Sequence, residues 1–169
     1  MKHLKKILTF FVFSCVTLGI HADNYIAVDK NGKVFDEANT KYVTLNQNNA
    51  EVAVLPGMVF KSLEKSPGWT MIEYSPGLRA FIQENIISSS LNSPTPGTYD
   101  VKNLPGQKLT AEQNGEEWKG TVSGKTYNGK KYGEIVIFVD DSNQPAYSLV
   151  DLGSGTIVMS YDNSVTNFF

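Results

Sequence analysis

Two pairs of adjacent acidic residues, Glu116-Glu117 and Asp140-Asp141, have the type and spacing that could support catalysis. A glycosidase needs two carboxyl groups across a cleft, one donating a proton and the other acting as base or nucleophile. Neighbouring residues of an extended strand point to opposite faces, and both pairs fall at expected hairpin tips. The sequence therefore favours a protein without enzymatic activity, with a small secreted carboxylate-dependent hydrolase as an alternative.

Other catalytic side chains are confined to the N-terminal segment. The two histidines, His3 and His21, and the only cysteine, Cys15, all precede Asp23. A papain-like endopeptidase needs cysteine and histidine, and a Ser-His-Asp hydrolase or a zinc site also depends on these residue types. If residues 1–22 are removed, the remaining chain lacks this chemistry.

Metal and cofactor sites are not indicated by the sequence. Oxygen-bearing side chains gather at Asp140, Asp141, Asn143 and Asp162, but the twelve-residue loop of a calcium site is missing. The glycines between positions 124 and 133 lack the spacing and the following helix of a phosphate-binding loop. We expect the protein to bind no metal and no cofactor.

The first 22 residues have the layout of a secretory signal peptide. A basic start over residues 2–6 leads into an uncharged apolar run, residues 7–20, and the small residue Ala22 precedes Asp23. The apolar run is too short for a comfortable membrane span. We therefore expect an exported protein, periplasmic or secreted, that is not an integral membrane protein after cleavage.

Lipidation of Cys15 is the alternative route of export. Lipoprotein signals usually hold a small residue where this chain has the bulky Phe13. A polar tether would also be expected after the cysteine, whereas residues 16–20 continue the apolar run. Both features favour cleavage after Ala22.

The mature chain expected from this cleavage is acidic. Removal of Lys2, Lys5 and Lys6 leaves 12 of the 15 basic residues against all 17 acidic ones, a net charge of −5. Affinity for nucleic acid comes largely from neutralisation of phosphates by lysine and arginine. The sequence therefore argues against nucleic acid as a partner, and without cysteine the fold must rest on its hydrophobic cores.

Alternating apolar residues predict a β-meander in the first half of the chain. Its strands are expected at Met58–Glu64, Trp69–Tyr74 and Leu78–Ile82, with Pro67-Gly68 and Pro76-Gly77 in the turns. In such turns proline presets φ and glycine tolerates a positive φ. Neither face of the central strand is purely polar, which suits a small closed barrel better than an open sheet.

Short strands are also expected on both sides of the meander, and sustained helical periodicity is absent after the signal. These strands are Asn24–Val28, Lys33–Asp36, Tyr42–Leu45, Glu51–Leu55, Thr98–Val101, Lys108–Gln113, Trp118–Lys125, Tyr132–Val139, Ala146–Asp151, Thr156–Tyr161 and Val165–Phe168. Asn31-Gly32 predicts a hairpin between the first two, Asn128-Gly129 predicts a turn, and Gln83 to Ile86 one tight helical turn. The fold class is therefore all-β.

A polar stretch rich in serine and proline, residues 88–97, divides the chain. Its residues prefer turns or extended structure, so it predicts a linker. We expect a signal peptide at 1–22, a small barrel at 23–88, the linker at 89–97, and a second antiparallel β domain, sandwich or barrel, at 98–169.

The meander resembles the C-terminal half of the bacterial SH3-like (SH3b) domain. The residues that carry the resemblance are Pro56-Gly57, Val59-Phe60, Gly68-Trp69, Ile72, Pro76-Gly77 and Ala80-Phe81-Ile82. The last triplet stands where the family usually has Gly-Trp-Val, and the usual Asn-Val-Arg signature is missing from the first half. The resemblance implies an SH3-like barrel over residues 23–88.

By this resemblance the first domain is a binding module, since domains of this family commonly accompany cell-wall enzymes and exported proteins. The resemblance implies a groove between loops, for which the candidate residues are Tyr42, Trp69, Tyr74 and Phe81. The same aromatic residues could instead fill or cover the core of a small barrel. We expect an exported, non-catalytic binding protein of the bacterial cell envelope, whose partner is a cell-wall peptide or an envelope protein.

The C-terminal half resembles no family and leaves further alternatives open. Trp118, Tyr127, Tyr132 and Tyr147 could line a cup or a protruding hairpin, as in a ligand carrier or an inhibitor. The terminal Phe169 is typical of outer-membrane β-barrels, but spanning strands need about ten residues with a continuous apolar row, which only one expected strand approaches. The sequence does not indicate an oligomeric state.

Overall fold

The computed structural model describes residues 24–38, 41–47, 50–75 and 77–161. In this part the chain is all-β, as the sequence predicts, and its helical structure is one 3-10 turn, η1 (Glu84–Ile86), at the expected position. No helix of the described part has the length and apolar character needed to cross a membrane.

The strands fall into two groups along the chain. The first group is β1 (Asn24–Ala27), β2 (Gly32–Lys33), β3 (Phe35–Ala38), β4 (Lys41–Thr44), β5 (Asn46–Gln47), β6 (Ala50–Glu51), β7 (Ala53–Val54), β8 (Val59–Ser66), β9 (Trp69–Ser75) and β10 (Leu78–Gln83). The second is β11 (Gly97–Asp100), β12 (Lys108–Asn114), β13 (Glu117–Val122), β14 (Lys125–Tyr132), β15 (Ile135–Val139), β16 (Pro145–Asp151) and β17 (Thr156–Ser160).

Six strands of the first group form an antiparallel sheet, called here the first sheet. Its order is β1-β8-β9-β10-β3-β4, and β2–β7 and β5–β6 form two small ribbons beside it. The predicted meander is confirmed as β8, β9 and β10. Its turns contain Gly68 at φ +79° and Gly77 at φ +76°, a region that glycine occupies without steric cost.

The second group forms a seven-stranded antiparallel barrel, in which each strand pairs with the next along the chain. Of the sandwich and the barrel expected for this half, the structure has the barrel. It closes only in part, where Val101 forms a parallel bridge with Val158 and the Lys102 N–H donates to the Val158 carbonyl at 2.9 Å. Beyond this bridge the Asn103 side chain accepts from the Ser160 N–H at 2.7 Å and donates to the Ser160 carbonyl at 2.9 Å. The Asn103 side-chain amide thus pairs with the Ser160 backbone as a residue of a neighbouring strand would.

The hairpin predicted at Asn31-Gly32 is wrong. β1 pairs with the long strand β8, and β2 pairs with β7, so the flanking segments do not pair with each other. A Cβ at Gly32 would lie 2.4 Å from the Ile86 Cδ1 atom. The glycine therefore allows a close approach of the chain to the core and does not make a hairpin turn.

The turn predicted at Asn128-Gly129 is also wrong, because both residues lie inside β14. The chain turns instead at Ser123 and Gly124, with φ of +50° and +82°. A Cβ at Gly129 would lie 2.5 Å from the Trp118 Cβ, so this glycine makes room for the side chains beside it. The predicted strand Val165–Phe168 lies outside the described residues.

Three clusters of buried side chains hold the molecule together. The barrel core is Val101, Leu109, Ala111, Trp118, Val122, Val136, Phe138, Tyr147, Leu149 and Val158. The first core is Val28, Val34, Val52, Val54, Met58, Phe60, Ile72, Ala80, Ile82, Ile86 and Met159. The junction core is Ala27, Val59, Ile135, Ile137, Val139 and Val150. Because β15 contributes to both the barrel core and the junction core, all five of its residues are buried.

The segment expected to be a linker packs along the barrel. Leu91 packs against the junction core, and the Asn92 N–H donates to the Asp151 carbonyl at 3.0 Å. The Ser93 hydroxyl donates to the Glu134 carboxylate and is the main cause that lowers the pKa of this exposed group. These contacts fix the path of the chain between the first sheet and β11.

Candidate functional site

The structure places the predicted groove residues on different surfaces. Trp69 alternates along β9 with Thr70 and Ile72, which are fully buried, so Trp69 lies on the outer face of the first sheet. Tyr74 lies on the face of Ile72 and packs against the first core. For Tyr42 only the backbone is described, and it pairs with Glu37 of β3.

The outer face of the first sheet carries an aromatic cluster. The rings of Phe35 and Trp69 meet edge to face with centroids 4.9 Å apart. Phe81 occupies the register position between Phe35 and Met71. Its pairing with Phe35 is the one register position that joins β10 to β3. Aromatic packing therefore strengthens the short pairing between β10 and β3. Trp69 and Phe81 thus stabilise the first sheet.

Tyr74 lines a cleft of about 890 Å³ between the first sheet and the barrel. The opposite wall contains Tyr127 and Tyr147, whose rings meet edge to face at 5.1 Å. The Lys125 ammonium lies 5.1 Å from the centre of the Tyr127 ring, a distance at which a cation is attracted to the ring face. The cleft thus joins one predicted groove residue to aromatic residues of the barrel.

The apolar part of the cleft is formed by the edge of the first core. Val34, Val54, Met58 and Phe60 line it from the first group of strands, and Met159 lines it from β17. The rest of the lining is polar and includes the side chains of Asn103, Gln107, Asn143 and Gln144, so the cleft combines an apolar wall with many hydrogen-bonding groups.

The charged groups around the cleft balance each other. Two lysines, Lys61 and Lys125, and two acids, Glu73 and Asp140, line the cleft, so the formal charge of the lining is zero. The carboxylates accept backbone hydrogen bonds: Glu73 accepts from the Gly77 N–H at 2.7 Å, and Asp140 accepts from the Ser142 and Gln144 N–H groups at 2.9 Å each. These acids are therefore held in structural roles.

Ser148 is the unusual polar residue of the cleft wall. It is 0 % exposed, and its Oγ has no hydrogen-bond partner within the described residues. It lies on the face of β16 opposite to the barrel residues Tyr147 and Leu149, with Met159 beside it in register on β17. A buried hydroxyl without a partner costs about 1–3 kcal/mol, so its position needs an explanation.

Tyr161 closes one side of the cleft. Its hydroxyl donates to the Val59 carbonyl at 2.8 Å and so ties the end of β17 to the first sheet. Burial, followed by the electrostatic effect of Tyr25, raises the pKa of Tyr161 well above the ordinary tyrosine value of 10.0. The group is neutral at all physiological pH values and acts as a hydrogen-bond donor.

The acidic pairs do not form a shared site. Glu116 and Glu117 are exposed at the hairpin between β12 and β13, and Asp140 is engaged in its own turn. Among the described residues, no group of three or more His, Cys, Asp or Glu side chains is placed to hold a metal ion. Asp162 lies outside this part of the chain.

The aromatic residues considered for a ligand carrier do not line one cup. Trp118 and Tyr147 belong to the barrel core, Tyr127 packs against it, and Tyr132 packs on Tyr25 at 4.6 Å in the junction. The barrel interior is filled by Trp118 and Tyr147 together with the fully buried ring of Phe138.

Ser148 and Met159 were missed by sequence reasoning. Each lies in a strand that the sequence does predict, but their position on the same cleft as Tyr74 depends on how the first sheet packs against the barrel. The available signal was a serine among the otherwise apolar or aromatic residues 146–150 of a predicted strand, since serine is mostly exposed in proteins.

Comparisons with known proteins add no further identification. No family model, no curated protein and no solved structure matches this chain.

Proposed function

We propose that this chain is an exported, non-catalytic binding protein of the bacterial cell envelope. Its first sheet serves as an SH3-like module, and its partner is a cell-wall peptide or an envelope protein. The basic and apolar N-terminal segment supports export, and the resemblance of the meander supports the module.

The connections of the first sheet support the SH3-like assignment. The meander β8–β10 is followed by the 3-10 turn η1, and Ile87 then returns to form an antiparallel bridge with Val28 next to β1. The sheet encloses the first core on one face. This bridge brings the end of the meander back beside β1, which is the direction in which a small barrel would close.

The observation that carries the binding function is the cleft of about 890 Å³. It brings Tyr74 of the proposed module together with the Tyr127 and Tyr147 rings of the barrel, and its acids are occupied by backbone hydrogen bonds. This arrangement supplies contact area and hydrogen-bonding groups without a free acid–base pair. It favours holding a ligand over converting it.

A retention assay tests this function. The chain from residue 23 onward is mixed with purified peptidoglycan sacculi and, separately, with solubilised envelope proteins, and bound protein is measured after washing. We expect retention by one of these materials, reduced at least fivefold by Tyr74→Ala. The control is Leu78→Ala, because Leu78 is 51 % exposed on the same sheet and lies outside the cleft.

Two outcomes would contradict the proposal. The first is release of soluble fragments from sacculi by the purified protein, which would indicate a hydrolase. The second is equal retention of wild type, Tyr74→Ala and Leu78→Ala, which would remove the cleft as the binding site.

A further inference from the structure

Of the four buried side-chain groups that have no hydrogen-bond partner among the described residues, Ser148 alone lines the cleft. Its Oγ has no accessible surface and no partner among the described residues, although the residue lines the cleft. A protein that only needed to fill this position would be more stable with alanine, because the cost of desolvating the hydroxyl would disappear. Groups that lower stability without an evident structural gain are typical of binding sites.

The neighbour of Ser148 can give access to it. Met159 lies beside Ser148 in register and lines the same cleft. Methionine is unbranched and changes rotamer at low cost, so its side chain can make room for a ligand atom.

The chemistry of the lining selects the class of ligand. The formal charge around the cleft is zero, which complements an uncharged ligand better than an acidic or a basic one. One wall is aliphatic, and sugar hydroxyls placed against Val34, Val54 and Met58 would lose their hydrogen bonds to water. The polar lining, which includes Asn103, Gln107, Asn143 and Gln144, can instead pair with the main-chain groups of an extended peptide. A peptide offers both an apolar side chain for this wall and a carbonyl group for a hydroxyl donor.

We infer that the cleft binds an uncharged, extended peptide segment, which inserts an apolar side chain beside Met159 and accepts a hydrogen bond from Ser148. The inference rests on the proposed binding function and narrows it to a peptide. Tyr74 and Tyr127 then flank the peptide from the two walls.

The test uses capped tetrapeptides and NMR chemical-shift titration of the ¹⁵N-labelled chain from residue 23 onward. The probes are acetyl-Ala-Leu-Leu-Ala-amide, the matched acetyl-Ala-Ser-Ser-Ala-amide, and the tetramer of N-acetylglucosamine. We expect saturable shifts at the amides of Tyr74, Ser148 and Met159 with the leucine peptide, and none with the serine peptide or the sugar.

Two variants separate a ligand role from a structural one. Ser148→Ala should raise Tm by about 2–6 °C and lower the affinity for the leucine peptide about three- to tenfold. Thr70→Val is the matched control, since the Thr70 hydroxyl is also fully buried and unpartnered but does not line the cleft. It should raise Tm in the same direction and leave the affinity unchanged.

Each other outcome overturns the inference in a distinct way. A lower Tm for Ser148→Ala with unchanged affinity would show a structural hydroxyl. Saturable shifts with the sugar at these amides would indicate a glycan ligand. If sacculi or envelope proteins retain the chain while no tetrapeptide binds, the peptide assignment fails and the proposed function stands; if nothing binds, both fail.

Discussion

The barrel and the first sheet differ in where their core residues come from. Within the described part, the barrel core and the side chains packed against it lie between Tyr99 and Val158. The first core, in contrast, includes Met159, and Ile157 packs against it, both from the last barrel strand. The barrel is therefore self-sufficient in its core, and the first sheet depends on the barrel.

The strand connections differ in the same direction. Barrel strands pair with their neighbours along the chain, whereas in the first sheet β1 pairs with β8 and β10 pairs with β3. Pairing between distant segments costs more loop-closure entropy before it is rewarded. The later half of this chain should therefore fold first and then support the earlier half.

The largest expected effect comes from dividing the chain. A fragment of residues 88–161 should fold, because it contains the whole barrel core and the packed segment before β11. A fragment of residues 24–87 should lack fixed tertiary structure, because it loses Met159 and the junction. Dispersed NMR spectra and near-UV circular dichroism distinguish these states.

The isolated barrel would expose the apolar face of β15. A second version of the fragment with Ile137→Thr and Val139→Thr, both on the junction face, keeps the test valid if the first one aggregates. A folded 24–87 fragment, or a barrel fragment that stays unfolded in both versions, would contradict the dependence of the first sheet on the barrel.

Single core truncations should show the same one-way dependence. Phe138→Ala removes a fully buried ring from the barrel core and should cost about 3–5 kcal/mol of unfolding free energy. Ile72→Ala in the first core should cost about 2–5 kcal/mol. Native-state hydrogen exchange measures which amides lose protection.

The expected patterns of exchange differ between these two variants. Ile72→Ala should speed exchange in the first sheet and leave the barrel strands protected, whereas Phe138→Ala should speed exchange in both. Equal loss of protection throughout the molecule in Ile72→Ala would indicate a single cooperative unit.

The contact between the halves can be tested at Gly57. This residue has φ +95°, and a Cβ would lie 2.4 Å from the Ile157 Cγ2 atom. Gly57→Ala should cost about 2–4 kcal/mol, because backbone strain adds to overpacking. Gly77→Ala is the matched control, since Gly77 also has a positive φ, +76°, but a Cβ there would meet nothing within 4 Å.

The difference between these two alanine variants in urea-unfolding experiments isolates the overpacking at the junction. Ile157→Ala should recover part of the loss in Gly57→Ala and none of it in Gly77→Ala. The same recovery in both variants would show that the loss comes from the backbone and not from the contact.

The smallest expected effect concerns the hydroxyl of Tyr161, which ties β17 to the first sheet. Because burial raises its pKa above 10.0, the folded state disfavours the tyrosinate, and stability should fall as pH rises above about 10. Tyr161→Phe should cost about 1 kcal/mol at pH 7 through the lost hydrogen bond. Its stability should then fall less steeply in alkali, and parallel profiles of the two proteins between pH 8 and 11 would contradict this role.

Local patterns in the sequence predicted much of the fold. Alternation and turn glycines were sufficient for the meander β8–β10 and for most barrel strands, because their partners are adjacent in the chain. The partner of β1 and the role of Gly129 could not be predicted, since both depend on side chains that meet only after folding. The cleft was beyond prediction for the same reason, and the binding role expected for Tyr74 stays a prediction.

The Asn103 side chain that pairs with the Ser160 backbone has a mechanical consequence. A ladder of main-chain bonds fails only when several bonds break together, whereas this seam is held by one amide group beside a single bridge. We therefore expect local opening of the barrel to begin between β11 and β17. Asn103 and Ser160 both border the cleft, so a ligand bound there is expected to suppress this opening.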